Sequence, residues 1–210
     1  MSPPRPGRRA ATGFYRVERS PNTCRRSSQV AVEPWRRLSR EYVLKTPYVN
    51  LRSESFRLPD GKIKDPYYVV ERPDAVFVFP VTPAGEVVLV RQYRPAIDLI
   101  ELGLPAGLLD PGEDAEKAAR RELLEETGYG GGEWQFLIKL SSSPGLKDNW
   151  AHMYLARGVE RISEPVPDEH ERLEVVTVPA GEMPERVLAG EIVSASGVAA
   201  TLLALRKLGL

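Results

Sequence analysis

Short apolar runs separated by turn residues make up most of the chain after about Trp35, and their length and alternation are typical of β-strands. Two segments rich in Pro and Gly, Pro59–Lys62 and Thr82–Gly85, predict tight turns between consecutive strands. The predicted strands are Glu41–Leu44, Val49–Phe56, Tyr67–Glu71, Ala75–Pro80, Glu86–Tyr93, Glu133–Leu140, Ala151–Ala156 and Leu173–Val178.

Three other segments have the pattern of helices. Ala115–Thr127 consists mostly of good helix formers and lies between Asp114, a suitable N-cap, and Gly128, a natural stop. A second helix starts within Pro184–Ala189, and the strongly apolar segment Val193–Leu208 predicts a final helix. Strands with helices on both sides predict an α/β fold, an α/β/α sandwich around a mixed sheet.

The first three strands predict a small antiparallel β unit that precedes the main domain. A meander of about 35 residues is marginally stable alone, so we expect it to pack on the main domain or on a second subunit. The predicted organisation is therefore a tail at 1–34, a β unit at 35–73 and the main domain at 74–210.

The tail differs in composition from the rest of the chain. Its first 32 residues hold seven arginines and four prolines but one glutamate, a composition that cannot bury much apolar surface and predicts disorder. An organelle transit peptide, or a start codon assigned too far upstream, would give the same composition.

Overall charge and cysteine usage exclude several classes of protein. The 210 residues carry a formal net charge of zero, which gives no bulk attraction to nucleic acid, and no apolar run approaches the length of a membrane helix. Cys24 is the only cysteine, so neither an intrachain disulfide nor a cysteine zinc cluster is expected, and a reducing cytoplasm fits.

Three glutamates crowd the end of the first predicted helix, in the segment RELLEETG. At about 100° per residue, Glu122, Glu125 and Glu126 share an arc roughly 100° wide. Like charges at this spacing cost a few tenths of a kcal/mol each, whereas a hard cation such as Mg²⁺ takes oxygen ligands and shares them with phosphates. The arc is thus either a solvated acidic face or part of a magnesium site.

The longer segment from Gly107 to Tyr129 decides between these two interpretations. It resembles the Nudix box, glycine-x5-Glu-x7-Arg-Glu-aliphatic-x-Glu-Glu-x-Gly-aliphatic, and matches eight of its nine fixed positions. The departure is Tyr129, where the family usually has an aliphatic residue that packs. The chain therefore resembles the Nudix hydrolases.

The resemblance implies metal-dependent hydrolysis of a nucleoside diphosphate linked to another moiety. It assigns Glu122, Glu125 and Glu126 as metal ligands, Glu122 and Glu126 also as catalytic residues, and the Ala106 carbonyl as a backbone ligand. The implied cation is Mg²⁺, with Mn²⁺ as the alternative. Glu113 and Arg121 match box residues that are mainly structural, with a pair on the helix surface as the competing interpretation.

Residues around the box resemble the ADP-ribose pyrophosphatase-like subfamily. The segment LVRQYR places Arg91 and Arg94 as substrate-binding residues, with Arg94 as a phosphate clamp, and Pro144 matches a proline marker sixteen residues after Gly128. Relatives usually have a glutamate at the position of Gly103. Because the nearest glutamate here is Glu101, either the loop is shifted or a substrate-binding carboxylate is missing.

The resemblance places the general base outside the box, on an acidic loop before a late strand. The matching segment is Pro167–Glu174, in which we expect Glu169 to be the base and Glu171 to add a metal ligand. A solvated charged loop is the competing interpretation.

The expected reaction is hydrolysis of ADP-ribose, a small-molecule nucleoside diphosphate sugar, to AMP and ribose 5-phosphate. Trp35, Tyr42 and Tyr48 are candidates for stacking on adenine, although packing in a core is the favoured interpretation for each. The subfamily also implies a homodimer. Another nucleotide sugar, such as GDP-mannose or UDP-glucose, is the alternative substrate. A Nudix-fold module that senses a nucleotide sugar without cleaving it is the alternative class.

Overall fold

The computed structural model describes residues 32–47, 49–166 and 172–210, and Trp35–Leu210 belong to one compact unit. Twelve strands and three α-helices occur in the described residues. The strands are β1 (Arg36–Lys45), β2 (Asn50–Arg57), β3 (Ile63–Glu71), β4 (Ala75–Val81), β5 (Glu86–Arg94), β6 (Leu99–Gly103), β7 (Ala106–Leu108), β8 (Tyr129–Gly130), β9 (Glu133–Leu140), β10 (Ala151–Arg157), β11 (Glu160–Arg161) and β12 (Leu173–Pro179). The helices are α1 (Ala115–Thr127), α2 (Met183–Leu188) and α3 (Ala195–Leu208), and a 3-10 turn, Ala180–Glu182, precedes α2.

A mixed seven-stranded sheet forms the centre of the main domain. Its path runs β12-β5-β4-β10-β9, while β6 pairs with β5 and β7 pairs with β4. The β10–β4 pair is parallel, whereas β12–β5, β9–β10, β5–β6 and β4–β7 are antiparallel. The pairing of β7 with β4 brings the backbone of Ala106–Leu108 beside the second half of α1, where Glu126 accepts from the Ala106 N–H.

Two apolar clusters cover the two faces of this sheet. On one face α1 packs Ala118, Ala119 and Leu123 against strand residues such as Val78. On the other face α3 and Met183 of α2 cover strand residues. Because each face buries its own cluster, the predicted α/β/α sandwich is confirmed.

The three N-terminal strands form their own antiparallel sheet in the order β1-β2-β3. A turn at Leu58–Lys62 joins β2 to β3, where Gly61 has φ 86° and donates its N–H to the Leu58 carbonyl. The sheet packs on the loop after β9, because Tyr67 Oη donates to the Gly145 carbonyl at 2.9 Å and Arg52 pairs with Asp148 at 2.8 Å.

Several predicted boundaries needed correction. The strand predicted at Glu41–Leu44 is the ten-residue β1, and α3 begins at Ala195 because Ser194 caps it, accepting from the Gly197 N–H. Strands β6 and β7 were not predicted, since Leu99–Leu108 was interpreted as a loop. None of the helices in the described ranges is long and apolar enough to cross a membrane.

Candidate active site

Caps define both ends of α1, and burial of one face sets the direction of its side chains. The Asp114 carboxylate accepts from the N–H groups of Glu116 and Lys117, and Gly128 closes the helix in the left-handed conformation at φ 75°. With the apolar face of α1 buried against the sheet, the arc that holds Glu122, Glu125 and Glu126 turns towards β7. These three side chains line a cavity of about 1020 Å³.

The backbone of β7 lies directly against two of the three glutamates. Glu126 is 5 % exposed, and its Oε2 accepts from the Ala106 N–H at 3.0 Å. A Cβ atom on Gly107 would lie 2.0 Å from Cδ of Glu122. The contact leaves no room for a side chain at position 107, so the box glycine is explained by the position of the Glu122 carboxylate.

Arg121 links the carboxylates of the box. Its guanidinium donates to both oxygens of Glu113 at 3.0 Å, and its Nη1 donates to Glu122 at 2.8 Å and Glu125 at 3.0 Å. Nη2 also donates to the Leu108 carbonyl at 3.2 Å. The hydrogen bonds to Glu113 raise the pKa of Arg121, and the same bonds lower the pKa of Glu113. Arg121 therefore contacts two predicted metal ligands at once.

The donor set of the box fits a hard divalent cation in its chemistry. Carboxylate and carbonyl oxygens, set in a concave site with one nearly buried glutamate, are the ligands such ions prefer. As the side chains stand, no three acidic, histidine or cysteine side chains among the described residues converge in the arrangement of a metal site. Arg121 forms ion pairs with Glu122 and Glu125, so its guanidinium balances part of the negative charge of the box.

The lining of the cavity also includes an arginine and a buried carboxylate. Arg94, at the end of β5, donates from Nε to Oε2 of Glu101 at 2.9 Å, and Glu101 is 5 % exposed. A Cβ atom on Gly103 would lie 3.8 Å from Cδ of Glu101, so the Glu101 carboxylate occupies the space beside that glycine. The cavity thus contains a carboxylate although position 103 does not supply it.

Some lining residues with polar side chains were not assigned roles from the sequence. Arg72 lies in the connection between β3 and β4 and lines the cavity together with the arginines Arg94 and Arg121. Glu101 and Ser194 line the same cavity. The alternation of β6 would have turned Glu101 and Gly103 to one face, but such a short strand gave no separate signal.

Arg91 and Pro144 lie away from the cavity that contains the box glutamates. Arg91 is three residues from Arg94 on β5 and so faces the other way, where it pairs with Glu174 of β12 at 2.7 Å. It lines a separate groove of about 520 Å³ together with Tyr93 and other residues. Pro144 is exposed in the loop that contacts β3.

The predicted general base and the added metal ligand, Glu169 and Glu171, lie outside the described residues. The chain on either side of them is described. The Val166 N–H donates to the Glu125 carbonyl at 2.8 Å, and Leu173 pairs with Gln92 at the start of β12. The residues that flank this segment therefore lie beside α1 on one side and beside β5 on the other.

Two of the candidates for stacking on adenine, Trp35 and Tyr42, belong to the N-terminal sheet and its immediate approach. Trp35 makes edge contacts with Phe56 and Tyr67, and Tyr42 Oη donates to Glu71, so both side chains take part in packing within that sheet. Neither lines the cavity of the same chain. Tyr48 lies outside the described residues.

Comparison with known proteins gives the family of the chain. The family model of the NUDIX domain matches residues 71–193, and the model described as nucleoside diphosphate sugar hydrolase N-terminal domain matches residues 35–70. The crystal structure of an ADP compounds hydrolase superposes with a TM-score of 0.77 at 28 % identity, covering 86 % of this chain and 97 % of that one.

Curated relatives agree with the domain matches. The ADP-ribose pyrophosphatase of Mycobacterium tuberculosis is 37 % identical over 155 residues, which cover 72 % of this chain and 74 % of that protein. The methanol dehydrogenase activator of Bacillus methanolicus is 36 % identical over 121 residues, 58 % of this chain and 65 % of that protein. Nudix hydrolases generally use divalent metal ions. With the box on α1 and the NUDIX domain matched over more than half of its length, the chain belongs to the Nudix hydrolase family.

Proposed function

We propose that this protein hydrolyses the pyrophosphate bond of ADP-ribose in a Mg²⁺-dependent reaction that yields AMP and ribose 5-phosphate. The observation that carries the proposal is one cavity whose lining includes both Arg94 and the three box glutamates. An arginine and a hard-cation donor set in one cavity suit a ligand with two adjacent phosphates. The relative from M. tuberculosis is named for the same substrate.

The reaction requires water to attack one of the two phosphorus atoms. A new P–O bond forms from the water oxygen, and the bond between that phosphorus and the bridging oxygen breaks. The bridging oxygen keeps the electron pair and leaves on the other phosphate, while Glu169 accepts the proton of the water. Bound divalent metal, Mg²⁺ or Mn²⁺, supplies neutralisation of the phosphate charge, and Glu122, Glu125, Glu126 and the Ala106 carbonyl would hold it, with Glu171 added.

Side chains of the protein bind the phosphate, place the base and orient the box glutamates in this proposal. Arg94 holds a phosphate through its planar guanidinium. The neighbouring hydrogen bond between Val166 and Glu125 keeps the start of the Glu169 segment next to α1, which supports a base acting from that side. Arg121 orients Glu122 and Glu125 through Nη1 and is itself held by two hydrogen bonds to Glu113.

The identity of the sugar and base is tested by a substrate panel. Purified protein is incubated with Mg²⁺ and ADP-ribose, GDP-mannose, UDP-glucose, NADH or diadenosine polyphosphates, and kcat/KM is measured for each. The proposal expects ADP-ribose to have the highest value. A higher value for GDP-mannose or UDP-glucose would keep the box chemistry and reject the substrate, and binding without turnover of any compound would favour a sensor.

A homodimer formed through the N-terminal sheet is part of the proposal. All ten residues of β1 are exposed, and its large apolar side chains Leu38, Tyr42, Val43 and Leu44 are between 42 % and 58 % exposed. An exposed apolar edge strand is a surface that proteins normally cover. Light scattering after size-exclusion chromatography should give twice the 23.4 kDa mass of the chain, and a mass of one chain would reject the dimer.

A cytoplasmic location completes the proposal and is supported by the use of a single cysteine, which suits a reducing compartment.

A further inference from the structure

Glu101 is held in the cavity by two hydrogen bonds from different parts of the fold. Oε2 accepts from Nε of Arg94 at 2.9 Å, and Oε1 accepts from the backbone N–H of Ser194 at 3.0 Å. Ser194 is the N-cap of α3, so the carboxylate also lies at the positive end of a 14-residue helix. Both oxygens are engaged, and the side chain is 6 % exposed.

A buried carboxylate needs such partners, because burial of an unpaired charge is costly. Glu101 meets this need by binding Arg94 through Nε alone, and no other hydrogen bond or ion pair of this guanidinium occurs among the described residues. Nη1 and Nη2 therefore remain for a ligand in the cavity that both residues line. A guanidinium fixed at Nε presents two parallel donors in a defined plane.

A second arginine of β5, Arg91, also pairs with a glutamate and serves as a comparison for the Arg94–Glu101 pair. Arg91 and Glu174 also form a close pair, at 2.7 Å, but their side chains are 44 % and 63 % exposed and free to move in solvent. Glu101 differs because a backbone N–H holds its second oxygen and burial restricts its rotation. Its geometry is that of a support for Arg94.

We propose that Glu101 is a positioning residue, which aims the guanidinium of Arg94 at the diphosphate of the substrate. This inference rests on the proposed function, since it takes Arg94 as a phosphate ligand. Glu101 then affects the affinity for substrate, and it does so through Arg94. The chemistry at the box glutamates does not depend on it.

Replacing Glu101 by glutamine separates positioning from packing. The amide keeps the shape of the side chain but has one oxygen, while Arg94 and the Ser194 N–H are both donors. One of the two donors must then face an NH₂ group. Glu101→Asp is the second variant, because it keeps the charge and withdraws it by one methylene from Arg94.

The test is a double-mutant cycle with Glu101→Gln and Arg94→Lys. The dissociation constant of ADP-ribose is measured by calorimetry in EDTA, and KM and kcat are measured with Mg²⁺. We expect Glu101→Gln to raise the dissociation constant and KM about tenfold with kcat within about threefold, and the double variant to bind no more weakly than Arg94→Lys alone. Glu116→Gln, which alters an exposed pair with Arg120, is the matched control.

Unchanged affinity and independent effects would each overturn the inference. Unchanged affinity in Glu101→Gln would show that Arg94 needs no support, and effects that multiply in the double variant would show that Glu101 acts independently of Arg94. If Glu101→Gln does not fold, unchanged affinity in Glu101→Asp would equally show that Arg94 needs no support. Wild-type protein that binds ADP-ribose without releasing AMP would contradict the proposed function alone, since the binding cycle still decides on Glu101. No binding would contradict both.

Discussion

Gly107→Ala is the substitution that most directly probes the contact between β7 and the box helix. The added Cβ would lie 2.0 Å from Cδ, 2.1 Å from Oε1 and 2.3 Å from Oε2 of Glu122. To reach the 3.4 Å of ordinary van der Waals contact, the Glu122 carboxylate must move by about 1.4 Å. The backbone of Gly107 does not require glycine for its conformation, because its φ is not in the left-handed region.

The expected effect on activity is much larger than the effect on stability. A displacement of about 1 Å in a catalytic group can lower the rate about 100-fold, so we expect kcat for the preferred substrate to fall by about that factor. The added methyl group meets the end of a flexible side chain, so we expect a small stability cost. Part of this cost is the ion pair between Glu122 and Arg121, whose side chains are 14 % and 31 % exposed. Such a pair contributes about 0.2–1 kcal/mol, which corresponds to a change in Tm of at most about 4 °C.

The assay compares kcat and Tm of wild-type protein, Gly107→Ala and Gly181→Ala. Gly181 is exposed, and a Cβ atom there would meet nothing within 4 Å, so this variant controls for the gain of a methyl group. Activity of Gly107→Ala within about threefold of wild type would refute the reasoning, because Glu122 would then tolerate the displacement that the clash requires.

Three further substitutions have expected outcomes. Glu122→Gln should lower kcat by at least about 1000-fold with an unchanged circular dichroism spectrum, and near-normal turnover would reject its role as a ligand. Glu113→Gln should be less stable than wild type above pH ~4.3 in urea titrations, because hydrogen bonds from Arg121 lower the pKa of Glu113. The free energies of unfolding of the two proteins should converge as the pH falls through that lowered pKa, and a difference that stays constant with pH would contradict the assignment. Arg52→Leu removes a nearly buried guanidinium that pairs with Glu54, Glu71 and Asp148, while Glu54 keeps Arg40 at 2.7 Å. We expect a loss of about 1–3 kcal/mol and a Tm lower by about 2–12 °C by calorimetry, whereas an unchanged Tm would contradict the buried network.

The sequence predicted the main elements of the fold because their signals are local. Caps at Asp114 and Gly128 define α1 at the predicted bounds, and alternating apolar residues define strands such as Glu133–Leu140. Strands β6 and β7 have five and three residues and lie on either side of a Leu-Pro step, so neither length nor period distinguished them from a loop. Their strand conformation depends on pairing with β5 and β4, which is a tertiary effect.

Prediction of the site was similarly divided. Helical spacing brought Glu122, Glu125 and Glu126 together, and these glutamates do line one cavity. The odd spacing along β5 turns Arg91 and Arg94 to different faces, but it could not show their partners, because those come from β12 and β6. The roles of Arg72, Glu101 and Ser194 likewise depend on segments that are distant in sequence and meet only in the folded chain.

The central claim is that the chain cleaves the diphosphate of ADP-ribose by the chemistry of its box. The most direct measurement is to incubate purified wild-type protein and Glu122→Gln with ADP-ribose and Mg²⁺ and to quantify the products by ion-exchange chromatography. The account predicts AMP and ribose 5-phosphate in equal amounts from wild type, and neither at a comparable rate from Glu122→Gln. Persistence of intact ADP-ribose with the wild-type protein, or equal product formation by the two proteins, would contradict it.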